Sequence, residues 1–376
     1  MKVGNLTFHF CHNYGGVLQC LALQQALQRL GVNAEVIDYN PIWKMRWVQR
    51  WGGLVSERLA ERVLSRLAER RFGAAHFQKF RAFRKQHFRL SEPCLSIRSL
   101  RKRANSYDAL MVGSDQVWNG EWHWPVYFLN FATRYPGRKI SYAACFGHDR
   151  QPADFLKKVP FWLASFAAIS VRNNLSRDMV KRLCGREPQV VADPTLLVDL
   201  RECALPPPNP LPQFILVYSL KTKNAEESAA IVSQVKSRLH LPVVSVTPGS
   251  LPGAPFPGAD VVIDDAGPAE WVWLLANASY VCTDSFHGTI FSLKYRKPFV
   301  VLDHRAEGSK RLYDFADRFG FRDRLVAGAA QITGEEFWQR TLDFDLVHQR
   351  LESHIQDSYR FLKSALGMGP GNETGV

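Results

Sequence analysis

The sequence lacks most features that mark secreted, membrane-spanning or zinc-binding proteins. Its seven cysteines are an odd number and form no C-x-x-C pair, so neither a disulfide framework nor a structural zinc site is expected. The first residues lack the apolar block of a secretory signal, and no stretch approaches the roughly 18 apolar residues of a membrane-spanning helix. These absences predict a protein of a reducing cytoplasm.

Charge is also scarce, and it is unevenly distributed. Only 22% of the residues are charged and 46% are hydrophobic, which excludes a largely disordered chain. The length of 376 residues predicts two domains. Residues 44–103 hold 17 Lys or Arg against four Asp or Glu, a net +13 that equals the formal charge of the whole chain. This block is either a solvated helical surface or a surface for an anionic partner, and no recognition-helix, zinc-finger or RNA-binding motif accompanies it. Nucleic acid is therefore not expected as a partner.

Alternating strands and helices predict an α/β fold. A strand-helix-strand unit over residues 3–39, with its helix at 18–30, implies a parallel sheet. Apolar strands recur at 109–112, 139–144, 167–171 and 189–192. Ser176 and Gly185 are expected to begin and end a helix before the last of these. The first domain is thus predicted at 1–204, with a basic helical insertion at about 42–105.

Five prolines in residues 205–212 cannot continue a helix or a central strand, and they predict the linker between the domains. The α/β alternation then restarts in a second domain over 213–366, followed by a flexible tail at 367–376. Thr333 and Glu336 have the spacing of a capping box. A final helix of the second domain carries an apolar face and is expected to pack back on the first domain. Two facing Rossmann-like domains place the carboxyl ends of both sheets at a common cleft, where such folds bind ligands.

The turn after the predicted strand 279–283 is the strongest candidate for a ligand site. A strand that leads directly into a helix presents unpaired backbone N–H groups and the positive end of the helix dipole, which attract anions. Ser285, His287 and Gly288 lie in this turn. The alternative is that Asp284 or Ser285 merely caps the helix and His287 is a satisfied polar residue.

Polar residues also follow strands of the first domain. The glycine-rich loop at 13–19 lets the backbone approach a ligand, but its spacing is not G-x-G-x-x-G and does not indicate nucleotide binding. Asp115 and Gln116 supply a carboxylate and an amide, which commonly contact carbohydrate. Arg172 ends a strand, where its planar fork could hold a carboxylate or a phosphate, or form a surface ion pair.

Seven motifs occur in an order that resembles the polysaccharide pyruvyl transferase family. They are N-Y-G-x-x-L-Q at 13–19, G-S-D-Q-x-W-N at 113–119, Y-F-L-x-F at 127–131, I-S-Y-A-A at 140–144, S-V-R at 170–172, D-P-T-L-L at 193–197, and S-F-H-G at 285–288 followed by K-P-F at 297–299. The resemblance covers most of residues 1–40 and 77–325.

The resemblance implies a glycosyltransferase-B-like fold and the transfer of pyruvate from phosphoenolpyruvate to a sugar, with release of phosphate. It also implies that the donor is bound by an Arg at a first-domain strand end and by a second-domain His, which match Arg172 and His287. Other branches of the family carry an Arg where this chain has Ser285. Lys310 or Arg311 could replace that Arg as the phosphate ligand.

The expected site follows from these matches. His287 is predicted as the general acid and Asp115 as a base or acceptor ligand. Donor binding is assigned to Arg172, Ser285, Gly288, Lys310 and Arg311, and acceptor binding to Asn13, Tyr14, Gly15 and Gln116. No metal or cofactor is expected, because the donor's charge can be met by arginine, lysine and helix amides.

Two other functions remain open, namely a nucleotide-sugar-dependent glycosyltransferase of the same architecture and a non-enzymatic polyanion-binding protein. The partners expected for a pyruvyl transferase are phosphoenolpyruvate and a saccharide, free or lipid-linked. Trp43, Trp47 and Trp51 share one helix face beside several cations, which is the composition of an interfacial helix. Segment 42–103 is therefore predicted to dock at the inner face of an anionic membrane, although an aromatic stripe packed on the first domain is the alternative.

Overall fold

The computed structural model describes residues 1–39, 73–122, 125–210, 212–220, 225–248, 255–303 and 310–369. They form two six-stranded sheets flanked by helices, and every described pair of neighbouring strands runs parallel. Both faces of such sheets are covered by helices, which is why their strands are short apolar runs. The predicted α/β class with two parallel sheets is confirmed.

The first sheet comes from the amino-terminal half of the chain. Its strand order is β2-β1-β3-β4-β5-β6. The chain adds β2 on one side of β1 and the later strands on the other side, so the switch point lies between β1 and β3. Such a switch point typically forms a ligand-binding crevice. Its elements are β1 (Lys2–Leu6), α1 (Tyr14–Arg29), β2 (Asn33–Val36), α2 (Ala74–His87), α3 (Ile97–Ala104), β3 (Ala109–Val112), β4 (Arg138–Ala144), α4 (Ala153–Leu156), α5 (Val159–Leu163), β5 (Ala168–Val171), α6 (Asn174–Cys184), β6 (Gln189–Val190) and α7 (Pro194–Leu197).

The second sheet has the order β12-β11-β10-β7-β8-β9, with its reversal between β7 and β10. Its elements are β7 (Ile215–Tyr218), α8 (Ala225–Leu239), β8 (Val243–Val246), β9 (Val261–Ile263), α9 (Pro268–Asn277), β10 (Tyr280–Thr283), α10 (Phe286–Lys294), β11 (Phe299–Leu302), α11 (Lys310–Phe319), β12 (Leu325–Val326), α12 (Glu335–Gln339) and α13 (Phe344–Ala365). The described residues of the proline-rich segment between the sheets contain no helix or strand.

Two predicted helix starts were wrong because other residues cap the helices. The helix predicted to begin at Ser176 begins at Asn174, and the Asn173 side chain accepts a hydrogen bond from the Ser176 N–H. Gly185 does end this helix, in a left-handed conformation with φ of 63°. The predicted capping box at residue 333 does not form, because Thr333 donates its hydroxyl to the Ala330 carbonyl instead.

Aromatic packing and hydrogen bonds join the two domains. Tyr14, at the start of α1, stacks on Trp271 of α9 with ring centroids 5.4 Å apart. Its hydroxyl lies within hydrogen-bond distance of the Thr247 and Ala266 carbonyls, at 3.2 and 3.0 Å. The largest apolar cluster contains side chains of both sheets. This contact therefore holds α1 of the first domain against the second domain.

The carboxyl-terminal helix returns to the first sheet. Ser358 of α13 accepts a hydrogen bond from the Ala192 N–H at 2.8 Å, and the Phe361 ring packs near Tyr142 of β4. These contacts support the backbone just before Asp193, a residue of the candidate site. Among the described helices, none combines the length and the apolar composition needed to cross a membrane.

Candidate active site

Arg172 is the first residue after β5 and lies at the carboxyl end of the first sheet. Its side chain is only 2% exposed, and Nη1 donates to Asp193 Oδ2 at 3.0 Å. Nη2 lies 3.4 Å from Asp115 Oδ1. A buried guanidinium requires such partners, because an unpaired buried charge is strongly destabilising. The ion pair predicted as an alternative for Arg172 does form, but it is buried and not on the surface.

Asp193 is the centre of this polar cluster. Its carboxylate also accepts hydrogen bonds from the Ser114 hydroxyl at 3.0 Å and from the Thr195 hydroxyl at 2.7 Å. Burial alone would raise the pKa of Asp193, but the neighbouring His287 and Arg172 outweigh that effect and hold the pKa well below its usual range. Asp193 is therefore an ionised carboxylate that joins strand ends of the first domain to the second.

His287 approaches Asp193 from the second domain, in the first turn of α10. Its Nε2 lies 3.6 Å from Asp193 Oδ2, beyond hydrogen-bond distance, and its side chain is 10% exposed. Ser285 caps α10 by accepting a hydrogen bond from the Gly288 N–H at 3.3 Å. Asp284 points elsewhere and accepts a hydrogen bond from the Leu220 N–H at 2.6 Å. Ser285 is therefore the cap, as the alternative predicted, and His287 lies beside a buried charge cluster.

Two glycines allow this arrangement. A Cβ atom at Gly15, in the first turn of α1, would overlap the imidazole ring of His287. A Cβ atom at Gly288 would overlap the Thr283 side chain at the end of β10. Glycine at these positions permits a close approach that another residue would prevent. The backbone of the first domain thus forms one wall of the His287 environment.

Two arginines lie over the ring of Phe286. The Arg172 guanidinium lies 4.7 Å from the centroid of the Phe286 ring, and the Arg311 guanidinium lies 5.9 Å from it. Burial lowers the pKa of Arg311, and the nearby Arg172 charge acts in the same direction. Lys310, in contrast, is half exposed and pairs with Asp149 at 2.5 Å. Of the two predicted replacements for the missing arginine, Arg311 is the one near Arg172.

The other predicted site residues are only partly brought together. Asp115 lies beside Arg172 with a positive φ of 79°, and its Oδ1 accepts a hydrogen bond from the Gln116 N–H at 2.8 Å. Asn13 caps α1 through a hydrogen bond from the Gly16 N–H. Tyr14 is fully buried in the domain interface, so its side chain does not face an open cleft.

Sequence reasoning missed the central role of Asp193. The signal was present, because Asp193 directly follows a predicted strand and precedes a proline, as a helix cap does. Its partners Ser114, Arg172 and His287 are distant in sequence, and only the fold brings them together. Within the described residues, no group of three or more His, Cys, Asp or Glu side chains could hold a metal ion.

Comparison with known proteins agrees with this architecture. The model of the polysaccharide pyruvyl transferase family matches residues 13–305. No curated protein matches the chain. Among solved structures, UGT89C1 of Arabidopsis thaliana complexed with UDP is 12% identical, with a TM-score of 0.55 and coverage of 97% of this chain and 98% of that chain. The UDP-GlcNAc 2-epimerase of Methanocaldococcus jannaschii is also 12% identical, with a TM-score of 0.51 and coverage of 98% and 100%. This likeness confirms the predicted glycosyltransferase-B-like fold.

Proposed function

Since the chain belongs to the polysaccharide pyruvyl transferase family, we propose that it moves the pyruvate unit of phosphoenolpyruvate to a sugar of a cell-surface polysaccharide or of its lipid-linked precursor. The product is a pyruvate ketal, and phosphate is released. One observation carries this proposal: Arg172, Arg311 and His287 converge from both domains around Phe286 and Asp193.

The charges of this cluster suit a small dianionic or trianionic donor. Phosphoenolpyruvate carries about three negative charges at neutral pH, divided between a carboxylate and a phosphate. Within the described residues Arg311 forms no ion pair, and the first turn of α10 provides unpaired N–H groups and a positive dipole end. Arg172 is the proposed ligand of the second anionic group through Nε, which has no hydrogen-bond partner among the described residues. Two separate cationic centres match the two ends of the donor.

Ketal formation requires no net gain or loss of protons. Two sugar hydroxyls form bonds to C2 of the donor, and the bond between C2 and the phosphate ester oxygen breaks. Of the two hydroxyl protons, one is balanced by the proton that the methylene carbon gains, and the other leaves with phosphate. His287 is the proposed donor of the proton to the methylene carbon, and its ring lies beside the Asp193 carboxylate. Asp115 is the proposed acceptor-side carboxylate.

A thermal stabilisation assay separates this function from its alternatives. A ligand that binds only the folded state raises the melting temperature, so phosphoenolpyruvate should stabilise the wild-type protein and UDP-sugars should not. Arg172→Ala and Arg311→Ala should each remove the stabilisation, whereas the exposed Arg238→Ala serves as a matched control. Stabilisation by UDP-sugars alone would favour a glycosyltransferase, and stabilisation by neither would contradict donor binding.

We also propose that the basic block contacts an anionic membrane surface at the cytoplasmic face. Trp43, Trp47 and Trp51 lie outside the described residues, so the structure does not bear on that part of the prediction. Within the described part, Lys79 pairs with Glu270 of the second domain at 2.9 Å, so its charge is already compensated within the protein.

Other cations of the block are exposed, namely Arg81 and Lys85 of α2 and Arg98 and Lys102 of α3. Vesicles containing phosphatidylserine should bind the protein more weakly as salt rises, and replacing Arg98 and Lys102 by Gln should weaken binding further. Equal recovery with neutral and acidic vesicles would contradict this surface.

A further inference from the structure

A polar groove lies beside the Arg172 cluster, between one helix of each domain. Its walls are α6 of the first domain and α11 of the second, and its volume is about 560 Å³. Sites for small molecules usually measure about 300–1,000 Å³ and often occur between domains. None of the four residues predicted to contact the acceptor, Asn13, Tyr14, Gly15 and Gln116, lines this groove. The groove is therefore a second and separate candidate for the acceptor.

Asp314 connects the groove to the proposed donor site. It lies one turn after Arg311 on α11, and side chains three residues apart share a helix face. Asp314 lines both the groove and the small adjoining pocket that contains Arg172, Asp193 and Arg311. A ligand in the groove would thus have one end near the proposed donor.

The remaining charges of the groove largely compensate one another. Lys310 pairs with Asp149 at 2.5 Å, and Arg322 pairs with Asp317 at 3.2 Å. Asp314 forms no ion pair with a described residue. Such a lining offers hydrogen-bond acceptors and donors without a net positive field, so it suits a neutral, hydroxyl-rich ligand better than a nucleoside diphosphate.

We propose that this groove binds the acceptor saccharide and that Asp314 accepts a hydrogen bond from the hydroxyl nearest the donor. The inference rests on the proposed pyruvyl transfer, which supplies the reason for a saccharide next to Arg172. Asp314 is half-buried, and burial raises its pKa, yet the group is still able to accept a hydrogen bond in either protonation state. The groove occupant is a single sugar or a short chain of sugars.

The test uses methyl α- and β-pyranosides of glucose, galactose and mannose as probes, with binding followed by saturation-transfer NMR in the presence of phosphoenolpyruvate. Asp178→Trp places an indole in the groove from an exposed position of α6, and Glu352→Trp on α13 is the matched control outside it. We expect Asp178→Trp to abolish the saccharide signal and Glu352→Trp to retain it. Asp314→Ala removes the acceptor and should weaken saccharide binding about tenfold, as expected for one lost hydrogen bond to a carboxylate.

Donor binding is measured in parallel by thermal stabilisation with phosphoenolpyruvate. Failure of the groove proposal can then be distinguished from failure of the proposed donor binding. Saccharide binding that survives Asp178→Trp, or that is lost in Gln116→Ala instead, would overturn the groove proposal while leaving pyruvyl transfer intact. Failure of all six pyranosides to bind the wild-type protein would also overturn it. Saccharide binding in the groove without any stabilisation by phosphoenolpyruvate would support the groove and contradict the proposed donor.

Discussion

The turns that begin α1 and α10 share one capping pattern but carry different residues after the cap. In each, a polar side chain caps the helix by accepting a hydrogen bond from the N–H of a glycine three residues later: Asn13 with Gly16, and Ser285 with Gly288. The second residue after the cap is Gly15 in one turn and His287 in the other, and these two residues face each other across the domain interface. One turn supplies the side chain proposed as proton donor, and the glycine of the other turn leaves the space that this side chain occupies.

The first residue after each cap is aromatic, and here the two turns also differ. Tyr14 lies in the domain interface, where its hydroxyl is within hydrogen-bond distance of two carbonyl oxygens and its ring stacks on Trp271. Phe286 instead lies within 6 Å of the guanidinium groups of both Arg172 and Arg311. The turn of the first domain therefore orients the domains, while the turn of the second domain organises the charges. Substitutions in the two turns should therefore differ in their effects on turnover and on the free energy of unfolding.

Replacing the imidazole should have the largest effect. His287→Ala removes the proposed proton donor and should lower phosphoenolpyruvate-dependent phosphate release by about a hundredfold or more. Release is measured with a saccharide that supports wild-type turnover, and circular dichroism verifies the fold. A folded His287→Ala protein with near-wild-type turnover would remove His287 from the reaction.

Replacing Asp193, the charged neighbour of the second turn, tests how much this carboxylate contributes to the free energy of unfolding. Asp193→Asn leaves the buried Arg172 with a neutral partner and should reduce the free energy of unfolding at pH 7 by about 3–5 kcal/mol. The folded pKa of Asp193 lies below its unfolded value of about 3.9, so its contribution is present above that value and is lost as pH falls through the folded pKa.

Urea unfolding at pH 7 and near pH 2 measures this difference. The gap in the free energy of unfolding between wild type and Asp193→Asn should narrow toward acid, because below about pH 3.9 the carboxyl group is protonated in the unfolded state and folding must release that proton. A gap that stays constant or widens on acidification would show that the Asp193 carboxylate is not held ionised by its neighbours.

Local sequence patterns predicted the second turn better than the first. The strand before the second turn was predicted at 279–283, and β10 spans Tyr280–Thr283. The helix after β1, in contrast, was predicted from residue 18, yet α1 begins at Tyr14. Gly15 and Gly16 weaken helix propensity, and the reason for Gly15 is the ring of His287, more than 270 residues away in sequence. The same holds for Asp193, whose role depends on partners that only the fold assembles.

Adding one methyl group to the first turn should disturb the second. Gly15→Ala would overlap His287, so we expect a loss of roughly tenfold in turnover although alanine has a helix propensity about 1 kcal/mol more favourable than glycine. Gly334→Ala, where no atom lies near the added Cβ, is the matched control. If Gly15→Ala raised stability without lowering turnover, the contact between the two turns would have no functional importance.

The smallest effect is expected at the aromatic residue of the first turn. Tyr14→Phe keeps the ring stacked on Trp271 and removes only the hydroxyl that meets the Thr247 and Ala266 carbonyls. The free energy of unfolding should fall by about 1–2 kcal/mol, because buried carbonyls lose a donor. The KM for the saccharide should stay unchanged, since this hydroxyl is used inside the protein. A rise in that KM with unchanged stability would instead support the sequence-based prediction that Tyr14 contacts the acceptor, and would contradict its role in holding the two domains together.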